Sequence, residues 1–90
     1  RRRVGVDVAR AQVQDQIVDR WFSPDERRAY RESKRRPTLF ARMWSRKEAL
    51  GKAMGAGVPQ VLRGELRGRW IVHDIQLAPG FAGALAVEEG

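Results

Sequence analysis

The longest regular pattern in this sequence runs from Leu39 to Gly55 and predicts a single helix. Apolar side chains recur there at helical spacing, so one side of the helix is expected to be buried. They are Leu39, Phe40, Met43, Trp44, Leu50, Ala53 and Met54. Pro37 can begin the helix, and Gly55 can end it by taking the left-handed conformation. We expect the rest of the chain to be organised around this helix.

The same helix carries three charged residues close together, Lys47, Glu48 and Lys52. Glu48 and Lys52 are four residues apart and share a face, whereas Lys47 lies about 100° round the helix from Glu48. One interpretation is a surface ion pair between Glu48 and Lys52, worth only a few tenths of a kcal/mol. The other is a reactive cluster, and the helix by itself does not decide between them.

The first strand is predicted from Arg3 to Ala9, where side chains alternate strictly. Three valines share the face that is expected to be buried: Val4, Val6 and Val8. On the opposite face Asp7 stands between Gly5 and Ala9, so another group can come close to its carboxylate. Alternatively, Asp7 caps a turn at the end of the strand.

A second helix is predicted from about Pro24 to Lys34. Ser23 can serve as its N-cap, Pro24 takes the first helical position, and Glu26 completes a capping box. The preceding segment, from Arg10 to Trp21, is compatible with a short helix or a lightly packed loop.

Beyond Gly55 the apolar period changes from helical to two. Residues Val61 to Leu66 are predicted as a short strand, after a glycine-rich, linker-like stretch that begins at Gly55. A firmer strand follows from Arg69 to Leu77, with His73 expected to pack on its apolar face. The turn at residues 78–80 and the alternation from Phe81 to Glu88 predict an antiparallel hairpin.

These elements predict an α+β fold: an antiparallel sheet of three or four strands packed against a long helix. Ninety residues suffice for one modest core, so residues 1–90 are expected to form a single domain. The chain starts at Arg1 without a methionine, and we therefore expect a longer polypeptide upstream. No apolar run is long enough to span a bilayer, so we expect a cytoplasmic protein without a membrane partner.

Charge and ligand chemistry narrow the function. The net charge is +7 and the pI is about 11.2, which predicts anionic partners. The chain has no cysteine and one histidine, which excludes thiolate and His-rich zinc sites. Carboxylate oxygens remain, and these suit Mg²⁺ or Ca²⁺. Asp7 on a strand and Glu48 between two lysines together form a candidate site for Mg²⁺ on the phosphate oxygens of a ligand.

Four segments in chain order also resemble a known family, the surfactin-type 4′-phosphopantetheinyl transferases. The Gly-x-Asp element is weak alone, whereas Trp-Ser-x-Lys-Glu-Ala-x-x-Lys is specific, and the two occur at the family's separation. The segments are Val4–Val8, Phe22–Glu26, Trp44–Ala53, and Ala78–Phe81 with Ala84–Val87. The resemblance covers nearly all ninety residues, but only the C-terminal half of that family's two-lobed protein.

The resemblance implies an enzyme that moves phosphopantetheine from coenzyme A to a serine of an acyl or peptidyl carrier protein, as in fatty acid or polyketide biosynthesis. It implies that Asp7 and Glu48 ligate magnesium and that Glu48 helps to deprotonate the serine. Lys47 and Lys52 match lysines that contact coenzyme A phosphates, so the implied catalytic group is Asp7, Glu48 and Lys52. The carrier protein is expected to dock on the region from Arg10 to Arg31, where Phe22, Arg27 and Arg31 are candidate contacts.

Two departures from the family leave alternatives open. Many members have an acidic residue two positions after the strand aspartate, where this chain has Ala9. The family's N-terminal lobe is also absent, so a missing lobe or self-association is expected to complete the site. An inactive remnant that binds carrier proteins is therefore one alternative. A small basic nucleic-acid-binding domain is the other, but Trp44 follows the apolar pattern of its helix, so we do not expect nucleic acid as a partner.

Overall fold

The computed structural model of the chain describes residues 2–55, 57–62 and 69–89. The elements follow the order β1 (Val4–Arg10), α1 (Asp15–Trp21), α2 (Pro24–Glu32), α3 (Arg36–Met54), α4 (Val58–Leu62), β2 (Arg69–Ile75) and β3 (Phe81–Glu89). Within these ranges the strands form one antiparallel sheet in the order β1-β3-β2, and α3 packs across it. The predicted α+β class, with a three-stranded sheet on a long helix, is confirmed.

The two long helices are stabilised at their ends by the signals that predicted them. The Ser23 hydroxyl accepts a hydrogen bond from the Glu26 amide at 3.2 Å, and the Glu26 carboxylate accepts one from the Ser23 amide at 2.8 Å. This reciprocal capping box begins α2 one residue before Pro24. At the C-terminal end of α3, Gly55 adopts φ 68°, and its amide donates to the carbonyl oxygens of Gly51 and Lys52 in the last turn.

The two faces of the sheet are used in the opposite way to the prediction. We expected Val4, Val6 and Val8 to be buried, but they are 57%, 53% and 57% exposed, so that prediction is wrong. The face covered by α3 carries small residues, including Gly5, Ala9, Ala84 and Ala86. A helix can approach a sheet closely only where side chains are small, so β1 and β3 turn their larger apolar residues to the uncovered face. On the covered face, Trp70 and Val72 of the edge strand β2 pack against the alanine cluster.

We call this uncovered surface the open face. The strand register identifies the residues of this face, because it aligns Val6 with Leu85 and Leu85 with His73. Its members are Val4, Val6, Val8, Ile71, His73, Ile75, Phe81, Gly83, Leu85 and Val87. His73 was predicted to pack in the core, but it is exposed on the open face because no element of the described chain covers it.

The core is divided along α3. The first half of this helix packs on α1 and α2 around Val18, Phe22, Tyr30 and Phe40, which are all 3% exposed or less. The second half packs on the sheet through the alanines of both elements. The helix thus bridges a layer of large side chains and a layer of small ones, which is why several of its faces are buried.

The segment after α3 differs from the prediction. Residues 61 and 62 belong to helix α4, so the start of the predicted strand from Val61 to Leu66 is wrong, and residues 63–66 lie outside the described residues. The segment from Arg10 to Trp21, for which helix and loop were both open, contains α1. No helix in the described part of the chain is long and apolar enough to cross a membrane.

Candidate functional site

A cavity of about 340 Å³ opens where the end of β1 meets the middle of α3. It is lined by Asp7, Val8, Ala9, Arg10, Gln12, Phe40, Trp44, Glu48 and Lys52. Three of the four residues predicted for the site, Asp7, Glu48 and Lys52, therefore face a common space.

Gly5 is what allows the strand and the helix to meet so closely. A Cβ atom at Gly5 would overlap the carbonyl oxygen of Ala49 and lie 2.5 Å from the amide nitrogen of Ala53. Only glycine fits, because the backbone of β1 rests on the backbone of α3. Asp7 is two residues further along the same face of the strand, which brings its carboxylate to the turn of α3 that carries Glu48 and Lys52.

Asp7 and Lys52 form a direct ion pair across this junction. The Lys52 ammonium lies 2.6 Å from Asp7 Oδ1 and 3.4 Å from the carbonyl oxygen of Val6. The Asp7 side chain is only 13% exposed, whereas that of Lys52 is 56% exposed. The hydrogen bond to Asp7, together with its negative charge, raises the pKa of Lys52, so this lysine is a permanent cation at the cavity mouth.

Glu48 is partly buried beside this pair. Burial raises the pKa of the Glu48 carboxyl, and the negative charge of Asp7 raises it further, while Lys52 acts in the opposite direction. Two carboxylates that repel one another in a partly desolvated cavity are stabilised by a shared cation. Among the residues that the structure describes, no group of three or more acidic, histidine or cysteine side chains is placed to hold a metal ion. Asp7 and Glu48 would thus be a two-carboxylate site.

The structure places the fourth predicted residue, Lys47, outside the cavity. Its ammonium lies 2.7 Å from Glu26 Oε1 on α2 and 5.3 Å from the centre of the Phe22 ring. Lys47 and Glu48 are neighbours in sequence, but the helical rotation of about 100° between them directs one to α2 and the other to the cavity.

An aromatic cluster forms the back of the cavity. Phe40 and Trp44 of α3 line it, and Phe22 stacks on both with ring centres 6.0 and 6.3 Å away. Phe22 was a candidate contact for a partner protein, but it is 3% exposed and belongs to the core. Of the candidate arginines, Arg27 donates to the carbonyl oxygen of Phe22, and Arg31 pairs with Asp19 at the surface.

Two polar residues that line the cavity were not predicted from the sequence, Arg10 and Gln12. Arg10 ends β1, three residues after Asp7, and its side chain has no hydrogen bond or ion pair with any described residue. Gln12 lies on the loop that follows, between a hydrogen bond of the Ala11 amide to Gly80 and one of the Gln14 amide to the Tyr30 hydroxyl. Neither residue has a signal in a single sequence, because its place in the cavity depends on how β1 meets α3.

The fold and the cavity together define a class: an α+β domain in which a strand carboxylate, a helix carboxylate and a lysine face one space. The family model of the 4′-phosphopantetheinyl transferase superfamily matches residues 3–78, which contain every one of these groups. The chain belongs to this superfamily.

One solved structure adds a fold comparison. The chain is similar to the holo-[acyl-carrier-protein] synthase of Thermotoga maritima, with a TM-score of 0.73 and 25% sequence identity. The match covers 97% of this chain and 62% of that chain, so this chain spans less than two thirds of its solved relative. No curated protein matches the chain.

Proposed function

We propose that this chain is the C-terminal half of a surfactin-type 4′-phosphopantetheinyl transferase. In this proposal it transfers phosphopantetheine from coenzyme A to a serine of an acyl or peptidyl carrier protein. The observation that supports it is the meeting of Asp7, Glu48 and Lys52 in one cavity of a chain from this superfamily. The proposed pathways are fatty acid, polyketide or peptide synthesis, and the cytoplasm is the proposed location.

Magnesium fits the two carboxylates. Asp7 and Glu48 offer adjacent hard oxygen donors. Burial is the main cause that raises the pKa of Glu48, and the negative charge of Asp7 adds to it, a repulsion that a divalent cation relieves. Because Mg²⁺ commonly keeps several waters, a site with Ala9 in place of a third carboxylate is compatible with binding. When bound, the ion would neutralise charge on the diphosphate of coenzyme A.

The residues of the chain then have distinct tasks. Glu48 accepts the proton of the serine hydroxyl, for which a partly buried carboxylate with a raised pKa is well suited. The serine oxygen forms a bond to the phosphorus next to pantetheine, and the bond to adenosine 3′,5′-bisphosphate breaks. Lys52 at the cavity mouth contacts the phosphate oxygens, and Arg10 is placed to add a second positive charge.

The open face supports the need for a second lobe or a second copy. The β1 valines Val4, Val6 and Val8 are more than half exposed, and Ile71 and Phe81 are 41% and 51% exposed. A contiguous apolar surface of this kind is unusual on a protein that functions without a partner. Since the solved relative is considerably longer than this chain, we propose that another lobe or another copy packs here.

Ala9 favours a second candidate, an inactive relative that binds carrier proteins without modifying them, because two carboxylates are all that the described residues bring to the site.

One experiment separates the two candidates. The purified protein is incubated with an apo carrier protein, coenzyme A and Mg²⁺, and the carrier is examined by intact mass spectrometry for the phosphopantetheine adduct. Adduct formation that is lost in Glu48→Gln supports the transferase, with the exposed Glu32→Gln on α2 as the control variant. Absence of adduct from the full-length protein, alongside binding of the carrier, would support the inactive relative instead.

A further inference from the structure

We propose that Lys47 is a positioning residue: its ion pair with Glu26 holds α2 against α3 and keeps Glu48 directed into the cavity. We call this pair the interhelix latch. Its effect on catalysis rests on the proposed function, whereas the latch itself is a property of the fold.

The latch is the most shielded ion pair among the described residues. The Lys47 and Glu26 side chains are 12% and 30% exposed, whereas every other ion pair there has a partner at least 41% exposed. The Lys47 ammonium also lies over the face of the Phe22 ring at 5.3 Å, close enough for a cation–π interaction. These two contacts fix the orientation of the Lys47 side chain, so its ammonium group is not available to a ligand in the cavity.

Glu26 connects the latch to the beginning of α2. The same Oε1 atom that meets Lys47 accepts the amide hydrogen of Ser23 in the capping box. Burial acts to raise the pKa of Glu26, but the hydrogen bonds from Lys47 and Ser23 outweigh it and lower the pKa overall. The carboxylate is therefore charged at neutral pH and ties Lys47, Ser23 and the Phe22–Ser23 turn together.

The latch reaches the cavity through the aromatic cluster. Phe22 stacks on Phe40 and Trp44, and these two rings line the cavity beside Glu48. Because Lys47 and Glu48 are consecutive on a helix, anchoring Lys47 to α2 also sets the rotation of α3 at Glu48. A shift of about 1 Å at a reacting group can lower a rate by roughly a hundredfold.

This geometry distinguishes a positioning role from phosphate binding. To meet a ligand in the cavity, the Lys47 ammonium would have to leave both Glu26 and the Phe22 ring. Lys52 and Arg10 already supply positive charge at the cavity itself. Loss of a positioning residue should lower kcat, whereas loss of a residue that binds a coenzyme A phosphate should raise KM for coenzyme A.

The first test compares Lys47→Met, Glu26→Gln and the double variant in the transfer assay, well below their unfolding temperatures. We expect kcat to fall by a similar factor of about ten in each single variant, no further in the double variant, and KM for coenzyme A to stay near its original value. Lys47→Arg should recover most of the activity because arginine can still pair with Glu26. A matched control is Asp74→Asn, which breaks the exposed pair of Arg46, the residue before Lys47, and should leave kcat unchanged.

The proposal is overturned if Lys47→Met raises KM for coenzyme A while Glu26→Gln leaves kcat intact. A phosphate ligand predicts that pattern, since Glu26→Gln would release the Lys47 ammonium toward the cavity.

A second test does not need activity. Thermal unfolding of the four proteins gives a double-mutant cycle, and the emission of Trp44 is followed with Trp21 and Trp70 replaced by phenylalanine. The latch predicts clear coupling between the two substitutions and the same emission shift in both single variants. If the wild-type protein transfers nothing, the proposed function fails, and this cycle still decides the latch: additive effects with an unchanged emission would overturn it.

Discussion

Gly5 rests on the carbonyl oxygen of Ala49, so that β1 and α3 touch backbone to backbone with no side chain between them. This contact sets the distance between the strand and the helix along the whole junction. Asp7 meets Lys52 at 2.6 Å because Gly5 lets the two elements come that close. The glycine and the aspartate of the Gly-x-Asp element thus act together. Gly5 lets β1 come close to α3, and this short distance lets Asp7 reach Lys52.

Replacing Gly5 by alanine should therefore damage both the fold and the site. The added methyl group must push β1 away from α3, which we expect to cost about 1–3 kcal/mol of the free energy of unfolding and to reduce transfer sharply. Denaturant unfolding and the transfer assay measure the two effects. Gly83→Ala is the matched control, because its methyl group would meet the movable end of Leu77 at 3.0 Å. The Asp7 carbonyl oxygen and the Ile75 Cβ atom would both lie 3.3 Å away, so this change should cost less than Gly5→Ala. Equal losses in the two variants would contradict the role given to Gly5.

The sequence was sufficient for α2 and for the end of α3 because their signals are local, whereas α1 was left open and α4 was missed. Ser23, Pro24 and Glu26 specify where α2 begins, and Gly55 specifies where α3 ends, through hydrogen bonds within a few residues. The alternation of side chains along the strands was also visible in the sequence. It divided each strand into two faces, but it did not indicate which face α3 covers, because that depends on how closely the helix can approach the sheet.

The site was predictable to the extent that residues share a face of one element. Glu48 and Lys52 are four apart on α3, and both line the cavity as expected. Lys47 matched the same family motif, but its surroundings depend on Glu26, which is twenty-one positions away. Pairing across elements has no signal in a single sequence, and Arg10 was missed for the same reason.

Glu48→Gln should abolish most transfer while stabilising the fold at neutral pH. The raised pKa of Glu48 means that the folded state holds the proton more tightly than the unfolded state, so ionisation lowers the free energy of unfolding as pH rises from the usual value near 4.5. Glutamine remains neutral and avoids this penalty. We expect a slightly higher unfolding temperature at pH 7, and a rate reduced by about a hundredfold or more.

The pH dependence provides the check on this prediction. Below pH 4.5 Glu48 is protonated in both states, so the stability gain of the glutamine variant should disappear there. Thermal unfolding across this range, with the exposed Glu32→Gln as the control, measures the difference. A gain that persisted at low pH would mean that burial and the charge of Asp7 are not its cause.

Lys52 and Arg10 should both affect coenzyme A, but to different extents. Removing a hydrogen bond to a charged phosphate costs about 1.5–3 kcal/mol, so Lys52→Met should raise KM for coenzyme A by roughly tenfold or more. Arg10 is exposed and makes no ion pair with any residue that the structure describes, so Arg10→Gln should raise KM only about two- to fivefold. Steady-state kinetics at two salt concentrations measures both effects. The Arg10 contribution should shrink at high salt, and an unchanged KM in Arg10→Gln would remove it from the site.

A single charge on the open face should prevent its burial against another lobe or copy. Val6 lies in the middle of β1 and is 53% exposed, so glutamate fits there without strain in the isolated chain. A buried, unpaired carboxylate in an apolar interface costs several kcal/mol. If copies of the wild-type chain associate through the open face, we expect Val6→Glu to be monomeric at the same protein concentration. Sedimentation velocity measures the change, with circular dichroism to confirm that the helices are retained. Val13→Glu places the same charge on an equally exposed valine outside the sheet and should leave association intact. Val6 lies on the open face and Val13 does not. If both variants associate like the wild-type chain, the contact between copies does not use the open face.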